Sequence, residues 1–566
     1  LAYTIKGCGT PLAGHKDNHA GLMNPSQMTD FQKRMGVPQG EEWNVLAGID
    51  NPDGLTALMN DAAFFAKGRR RFDAPIVKSS GPVFLDDRNQ STQAGFGKIL
   101  DAIAKTDSEL ADRILTTSPD VTASTNLGPW VNRRSLFARE AKGDTFREQR
   151  IPSTQKWQFS PEGQHIELGI AEMNLFLMLG AAGLSHSLFG ERIIPIGTVY
   201  DPFVARGLDA MNYACYQDSR FIIVGTPSGV TLAPEGGAHQ SIGAQLIGMS
   251  QDGLVSFEPA FLDELSIIMD WSFDYLQRSG EGDPDERTWL RDETGGSVYL
   301  RLTTRSIDQL GLKARDDADF RRGVVDGGYW LREPGPNCEV VIAYQGCVAP
   351  EVIEAAGRIG NDRRDIGVLA ITSADRLNSG WTAARRARAR GQDNAVSQIE
   401  RLMDSVSRDA TLITVTDGHP ATLAWIGSVM GHRTAPLGVE HFGQTGTIQG
   451  GSHVAQPGVP FGGPDPERSV PHPEAWMPAL GAVVGGATPV LLQEPGQVQP
   501  GCRQVRRIER AKQLVVVDPL VEAVHEGHEP LRAHEFVEAL SGSTIGADPW
   551  WLASQRNRHE ESSAER

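Results

Sequence analysis

The chain has 566 residues, enough for three or four domains, and 40% of them are hydrophobic and 22% charged, as in ordinary globular enzymes. Its net charge of −17 argues against a nucleic-acid-binding protein. The apolar stretches are too short to cross a bilayer and the five cysteines show no CxxC spacing, so we expect no membrane segment and a cytoplasmic location.

Residues 1–75 are predicted to form the end of a domain. A strand at 2–5 runs into a loop rich in Gly, His and Asn, and helices are predicted over 26–35 and 55–67. Because Leu1 lies at the start of that strand and is not a methionine, we expect an N-terminal part of the protein to precede it.

Residues 76–310 alternate between strand and helix patterns. Strands are predicted at 113–120, 192–200, 220–226 and 297–304, and helices at 96–105, 167–185, 203–217 and 264–279. This alternation predicts an α/β domain with a mainly parallel sheet, and residues 311–448 repeat it as a second α/β domain.

Residues 449–566 differ from the rest of the chain. They are rich in Gly, Pro, Val, Gln and His and show little periodicity. This tail is interpreted as partly disordered, as a divergent extension, or as the product of a shifted reading frame, and the sequence does not choose among the three.

The segment 163–186 carries a glutamate within an apolar helical pattern. Leu168 lies four residues before Glu172, and Leu175 and Phe176 lie three and four residues after it, which makes them its neighbours on a helix. A carboxylate in such surroundings is costly unless something hydrogen-bonds to it. Glu172 is therefore either a functional acid or a structural one that reaches water or pairs with an arginine.

Three segments in sequence order carry a family resemblance. They are IELGIAEMN at 166–174, PIGTVYDPF at 195–203 and FIIVGTPSGVTLAPEGGAHQS at 221–241. Together they resemble the pyrimidine-binding domain of thiamine-diphosphate enzymes of the transketolase superfamily, in particular the homodimeric pyruvate dehydrogenases, and the likeness runs from Leu1 to Ile448. The resemblance implies an α/β thiamine-diphosphate-binding fold in which residues 1–75 are the end of a diphosphate-binding domain with an active-site loop. A pyrimidine domain over 76–310 and a transketolase C-terminal-like domain over 311–448 follow.

The resemblance assigns roles to residues near the cofactor ring. Glu172 matches the acid that activates the aminopyrimidine, Phe203 matches the aromatic residue that stacks on that ring, and Tyr200 is expected nearby. His239, in a glycine-rich loop like the superfamily's EDGxxH segment, matches a histidine that donates a proton or polarises the substrate, and Glu235 shares its loop. The alternative for the two aromatic residues is an ordinary place in the core.

Four further residues match the family with less specific motifs. His19 in KDNHAGLMN resembles a catalytic histidine of a mobile loop, and Lys6 in TIKG resembles a lysine at the phosphate end of the cofactor. Asp120 and Asn126 in SPDVTASTNLG fall on polar positions of a segment that lies beside the cofactor in the superfamily. The alternatives are solvated loop residues for the first pair, and a turn in which Asp and Asn bond their own backbone for the second.

One family feature is missing from the sequence. The superfamily binds Mg²⁺ and the diphosphate with a Gly-Asp-Gly motif and a later Asn, and this sequence contains no Gly-Asp-Gly. We therefore expect no metal site within this chain, and we expect that site upstream of Leu1.

The resemblance implies thiamine-diphosphate-dependent decarboxylation of a 2-oxo acid, most simply pyruvate, with acyl transfer to the lipoyl group of a partner acyltransferase. A ketol transferase, or an incomplete chain that only dimerises, are the alternatives. The resemblance also implies a homodimer. From the apolar neighbours of Glu172, we expect this residue to be largely buried in the dimer interface, with no Lys or Arg neutralising it.

Overall fold

The computed structural model describes residues 7, 9–13, 15, 21–61, 73–143, 145–151, 155–229, 236–280, 290–309, 315–361, 363 and 365–442. Three predicted site residues, Lys6, His19 and Glu235, lie outside the described residues, as does the predicted tail 449–566. Among the helices of the described part, none is both long enough and apolar enough to cross a membrane.

The strands that the structure describes are, in chain order, β1 (Asn89–Gln90), β2 (Ile114–Ser118), β3 (Leu136–Phe137), β4 (Phe159–Ser160), β5 (His165–Glu167), β6 (Ile194–Val199), β7 (Ile222–Gly225), β8 (Leu254–Phe257), β9 (Ser297–Arg301), β10 (Ile307–Asp308), β11 (Gly328–Arg332), β12 (Val340–Gln345), β13 (Gly367–Ile371), β14 (Thr411–Thr416) and β15 (Arg433–Leu437).

The α-helices within the same ranges are α1 (Pro25–Arg34), α2 (Pro52–Asp61), α3 (Thr92–Ala104), α4 (Glu109–Arg113), α5 (Gly128–Arg134), α6 (Thr145–Glu148), α7 (Glu172–Gly183), α8 (Ser185–Leu188), α9 (Leu208–Tyr216), α10 (Ala244–Ser250), α11 (Leu262–Tyr275), α12 (Ala318–Asp326), α13 (Ala349–Ile359), α14 (Ala374–Ala389), α15 (Gln398–Met403), α16 (Ala421–Ala424) and α17 (Gly427–Met430).

Two sheets organise the described chain. The larger has eight strands in the order β4-β3-β5-β2-β6-β7-β9-β8, and every neighbouring pair in it is parallel. The smaller has the order β11-β13-β12-β14-β15, in which only the β11–β13 pair is antiparallel. The predicted α/β class is confirmed, and a short antiparallel pair of β1 with β10 stands beside the two sheets.

The central strands are buried on both faces, as parallel strands covered by helices must be. All residues of β6, β7 and β9 are buried. On one face, Leu175, Phe176 and Leu179 of α7 pack in a cluster with residues of β6, α9 and β9. Because Gly207 lies under the Phe176 ring, where a Cβ would come within 1.9 Å of a ring carbon, only glycine fits between the turn after β6 and α9.

The helix predicted over 167–185 is shorter than expected. Residues His165–Glu167 form β5, which pairs with β2, and α7 begins only at Glu172. The distribution of apolar residues on all sides of this segment is typical of a fully buried helix, but that expectation is wrong, because Ile170, Met173 and Leu177 are exposed. Glu172 therefore lies in the first turn of a helix that buries one face only.

The strand order reverses direction beside β2. The chain passes from β5 on one side of β2, through α7, to β6 on the other side. In open α/β sheets, ligands bind beyond the carboxyl ends of the strands at such a reversal. Glu172 and the turn after β6 both lie at this position.

Candidate active site

The turn after β6 carries two of the predicted aromatic residues. The strand ends at Val199, and Asp201–Gly207 forms a 3₁₀ turn with Pro202 near its start. The backbone N–H of Phe203 donates to the carbonyl of Tyr200 at 2.8 Å, and the two rings lie 6.0 Å apart with their planes 17° apart. The turn thus presents two nearly parallel rings at the carboxyl edge of the sheet.

Glu172 is paired with an arginine that the sequence analysis did not single out. Arg206 Nη1 donates to Glu172 Oε1 at 2.5 Å, and the side chains are 52% and 12% exposed respectively. The same guanidinium lies over the Phe203 ring, 3.7 Å from its centroid. The expectation that no Lys or Arg neutralises Glu172 is therefore wrong, because the turn that carries Phe203 also brings Arg206 over the start of α7.

His239 completes this cluster. It ends a short 3₁₀ turn, Gly237–His239, which follows Gly236 at a φ of 108° that favours glycine. The imidazole packs edge-on against Phe203 with the ring centroids 5.3 Å apart, and its Nδ1 is buried with no hydrogen-bond partner among the described residues. A buried, unpaired ring nitrogen beside an aromatic face is a group positioned to meet a ligand.

The comparisons with known proteins address the family. No family model matches the sequence. The pyruvate dehydrogenase E1 component of Cupriavidus necator is 24% identical over 392 residues, which cover 64% of this chain and 41% of that protein. The corresponding protein of Corynebacterium glutamicum is 25% identical over 312 residues, covering 50% and 33%. Transketolase 2 of Escherichia coli is 20% identical over 216 residues, covering 38% and 28%.

The chain is similar in sequence to these pyruvate dehydrogenase E1 components and, over a shorter stretch, to transketolase 2. It spans well under half the length of the E1 relatives, 30% of the one from Pseudomonas aeruginosa, for example. Among solved structures, the transketolase of Campylobacter jejuni matches with a TM-score of 0.48 at 15% identity, over 78% of this chain and 59% of that one. The transketolase of Leishmania mexicana matches with a TM-score of 0.47 at 14% identity, over 76% and 51%.

A buried carboxylate links the two loops of the site. Asp201 accepts hydrogen bonds from the hydroxyls of Tyr299 and Ser241, and from Arg301 Nε at 2.9 Å. Ser241 lies two residues after His239, and Asp201 lies two residues before Phe203. The sequence motifs did not point to Asp201, although an acidic residue just after a buried strand is a signal that could have found it.

The same network continues from Asp201 into the second sheet. Arg301 Nη1 donates to Glu258 Oε1 at 2.6 Å, and Glu258 Oε2 accepts from Gln245 at 2.5 Å and from Gln345, at the end of β12, at 3.1 Å. Burial raises the pKa of Glu258 to about 7, although Arg301 and Gln245 act in the opposite direction. The site loops are therefore anchored to both sheets through buried polar side chains.

The two predicted polar residues of segment 118–128 do not join the cluster of Glu172, Phe203 and His239. Asp120 and Asn126 both adopt positive φ, 90° and 63°, as expected of Asp and Asn in tight turns. The Asn126 amide donates to Gln93 Oε1 at 2.7 Å, so this side chain serves packing against α3 in the structure. Asp120 is exposed, and no described contact joins either residue to the Glu172 cluster.

A second polar cluster lies under that segment. The buried His165 ring bonds Thr116 through Nδ1 at 2.9 Å, and Thr122 and Glu167 through Nε2 at 2.9 and 3.1 Å. Burial would raise the pKa of Glu167, but hydrogen bonds from His165 and Thr122 outweigh it and hold that pKa below its usual value. Glu167 is thus held as a carboxylate at the edge of the site, five residues before Glu172.

The described residues contain no group of three or more His, Cys, Asp or Glu side chains arranged to hold a metal ion. What the cluster offers a ligand is an aromatic face, a carboxylate and an imidazole. These groups can stack on, hydrogen-bond to and exchange protons with a planar, nitrogen-containing ring.

Proposed function

We propose that this chain provides the pyrimidine-binding half of a thiamine-diphosphate-dependent active site. The reaction proposed is decarboxylation of a small 2-oxo acid, pyruvate first among the candidates, with transfer of the acyl group to a lipoyl group of a partner acyltransferase. The observation that carries the proposal is the meeting of Glu172, Phe203 and His239, from three separate segments, at the reversal of the strand order. The E1 relatives named for pyruvate supply the substrate class.

The side chains of the cluster can make the contacts that the aminopyrimidine ring of thiamine diphosphate needs. Phe203, with Tyr200 beside it, offers a face on which an aminopyrimidine can stack, and the Glu172 carboxylate can share a proton with a ring nitrogen. His239 holds a buried nitrogen that can give a proton to a substrate oxygen or take one from it. When bound, thiamine diphosphate supplies the electron sink for the decarboxylation.

The metal half of the site is proposed to come from another polypeptide segment. The sequence has no Gly-Asp-Gly motif, and the described residues hold no cluster suited to a metal. A diphosphate needs a metal ion and backbone donors to balance its charge. We therefore propose that Mg²⁺ and the diphosphate are held by a segment outside the described residues, and that the complete site forms between two subunits that also carry this segment.

A ligand without the diphosphate tests the pyrimidine half by itself. We expect thiamine to bind the chain with a Kd on the order of 1 mM, because only stacking and polar contacts to the ring hold it. Phe203→Ala should weaken this binding at least about tenfold, whereas Phe442→Ala, which removes an exposed phenylalanine, should leave it unchanged. A ligand-observed NMR titration measures both, and equal affinity of the wild type and Phe203→Ala would refute the proposed site.

A further inference from the structure

The position of Arg206 is the feature that the proposed function does not explain. Its guanidinium carbon lies 3.7 Å from the centroid of the Phe203 ring, which is a stacking distance, and its Nη1 donates to Glu172. One planar group therefore makes both contacts that the proposed function requires of an aminopyrimidine ring. It stacks on the aromatic residue and donates N–H to the acid.

The two groups share the chemistry that these contacts recognise. A guanidinium and an aminopyrimidine are both flat, and both carry an N–C–N unit with N–H donors in its plane. Phe203 and Glu172 recognise that shared pattern. A ring that stacks on the same face of Phe203 and bonds the same carboxylate would overlap the guanidinium.

We infer that Arg206 occupies the ring position of this site as an internal surrogate, and that a planar amidine-like ligand binds only when Arg206 moves away. This inference rests on the proposed function and deepens it, since it names the group that competes with the ring. It also makes Arg206 the residue that sets the affinity of the site for such rings.

Little free energy is needed to move the Arg206 side chain off the Phe203 ring and away from Glu172. Half of its side chain is exposed, and it extends from a short 3₁₀ turn whose Asp201 is held separately by Tyr299, Ser241 and Arg301. The turn can therefore keep its shape while the arginine side chain swings into solvent. An ion pair with one exposed partner and one cation–π contact are each modest interactions in water. Together they leave the open form a minor state, which lowers the apparent affinity for a ring by the fraction of molecules that are open.

The test compares thiamine binding by the wild type and Arg206→Met, which keeps an unbranched apolar side chain and removes the charge and the planar donors. We expect Arg206→Met to bind thiamine about tenfold more tightly, equivalent to about 1.4 kcal/mol. The gain should vanish in Arg206→Met/Phe203→Ala, and methylguanidinium should compete with thiamine for the Arg206→Met variant. Arg133→Met, which removes another half-exposed arginine paired with Asp101, is the matched control and should not change thiamine affinity.

Each other outcome has a defined meaning. If the wild type and Arg206→Met bind thiamine equally while Phe203→Ala weakens binding, the surrogate role is overturned and the pyrimidine site stands. If the gain persists without Phe203, the ring binds elsewhere and the inference fails. If neither protein binds thiamine while thermal melts show both to be folded, the inference and the proposed function fail together.

Discussion

At Asp201, a carboxylate with no exposed surface accepts hydrogen bonds from Ser241 in the loop of His239, and from Tyr299 and Arg301 on β9. Such a group holds the loops of Phe203 and His239 in a fixed relation without touching a ligand. Burial raises the pKa of Tyr299 well above its usual range, with the charge of Asp201 adding to the effect, so the tyrosine remains a hydrogen-bond donor to Asp201.

Replacing Asp201 should be costly for stability. In Asp201→Asn the Arg301 guanidinium loses one of its two buried carboxylate partners, and we expect the free energy of unfolding to fall by about 3 kcal/mol. The control is Asp87→Asn, which removes one partner of the half-exposed pair with Lys98 and should change stability by less than about 1 kcal/mol. Urea titrations of both variants measure the difference, and equal small losses would contradict the anchoring role.

At the scale of elements, the start of α11 depends on an ionisable group. Glu264 Oε2 accepts from the backbone N–H of Ala260 and of Phe261 at 2.7 and 2.9 Å, and its Oε1 accepts from the Tyr329 hydroxyl of β11 at 2.7 Å. Burial raises the pKa of Glu264 to about 7, against the opposing effect of these hydrogen bonds. The carboxyl thus binds its proton more tightly in the folded chain than in the unfolded one.

This shift predicts a pH dependence with a definite sign. Between the unfolded value of 4.5 and about 7 the folded state holds more protons, so the free energy of unfolding should decrease as the pH rises through that window. Glu264→Gln should reduce this slope, by at most about 1.4 kcal/mol per pH unit, and Glu258 should account for part of the remainder. Urea titrations from pH 5 to 8 measure it, with Glu354→Gln, on the surface of α13, as the control; an unchanged slope in Glu264→Gln would contradict the assignment.

At the scale of the whole molecule, α7 and α9 leave an apolar face uncovered. Its exposed members are Met173 and Leu177 of α7 and Tyr213 and Tyr216 of α9, with Ile170 exposed just before α7. The two helices pack against each other, and α7 begins at Glu172 of the proposed site. Exposed apolar side chains on two packed helices are a candidate for the interface of the predicted homodimer.

The dimer prediction can be tested at that face. We expect the chain to be a dimer in solution and Leu177→Lys to shift it toward monomer, because a buried unpaired ammonium opposes association. Val396→Lys, which places the same charge at another exposed apolar position, should leave the dimer intact. Light scattering at several protein concentrations measures the molar mass of the wild type and both variants. A monomeric wild type would refute the prediction.

The missing metal motif leads to a prediction about the cofactor as a whole. Thiamine diphosphate with Mg²⁺ should bind this chain weakly or not at all, because the described residues offer no cluster for the metal. Calorimetry with and without Mg²⁺ decides the matter. Micromolar, magnesium-dependent binding would mean that residues 1–566 contain a metal site without a Gly-Asp-Gly motif.

The sequence by itself determined the α/β class and the central strands, because parallel strands buried on both faces leave long apolar runs in the local pattern. Three motifs that follow one another along the sequence also pointed to Glu172, Phe203 and His239. Only the tertiary structure decided what these residues touch: Arg206 bonds Glu172 across 34 positions, and Arg301 bonds Asp201 across 100. Local periodicity cannot predict such pairs, because they depend on which strand ends the fold brings to one edge of the sheet. For the same reason the start of α7 was misplaced, since the pairing of β5 with β2, remote in sequence, overrode the helical pattern of 167–171.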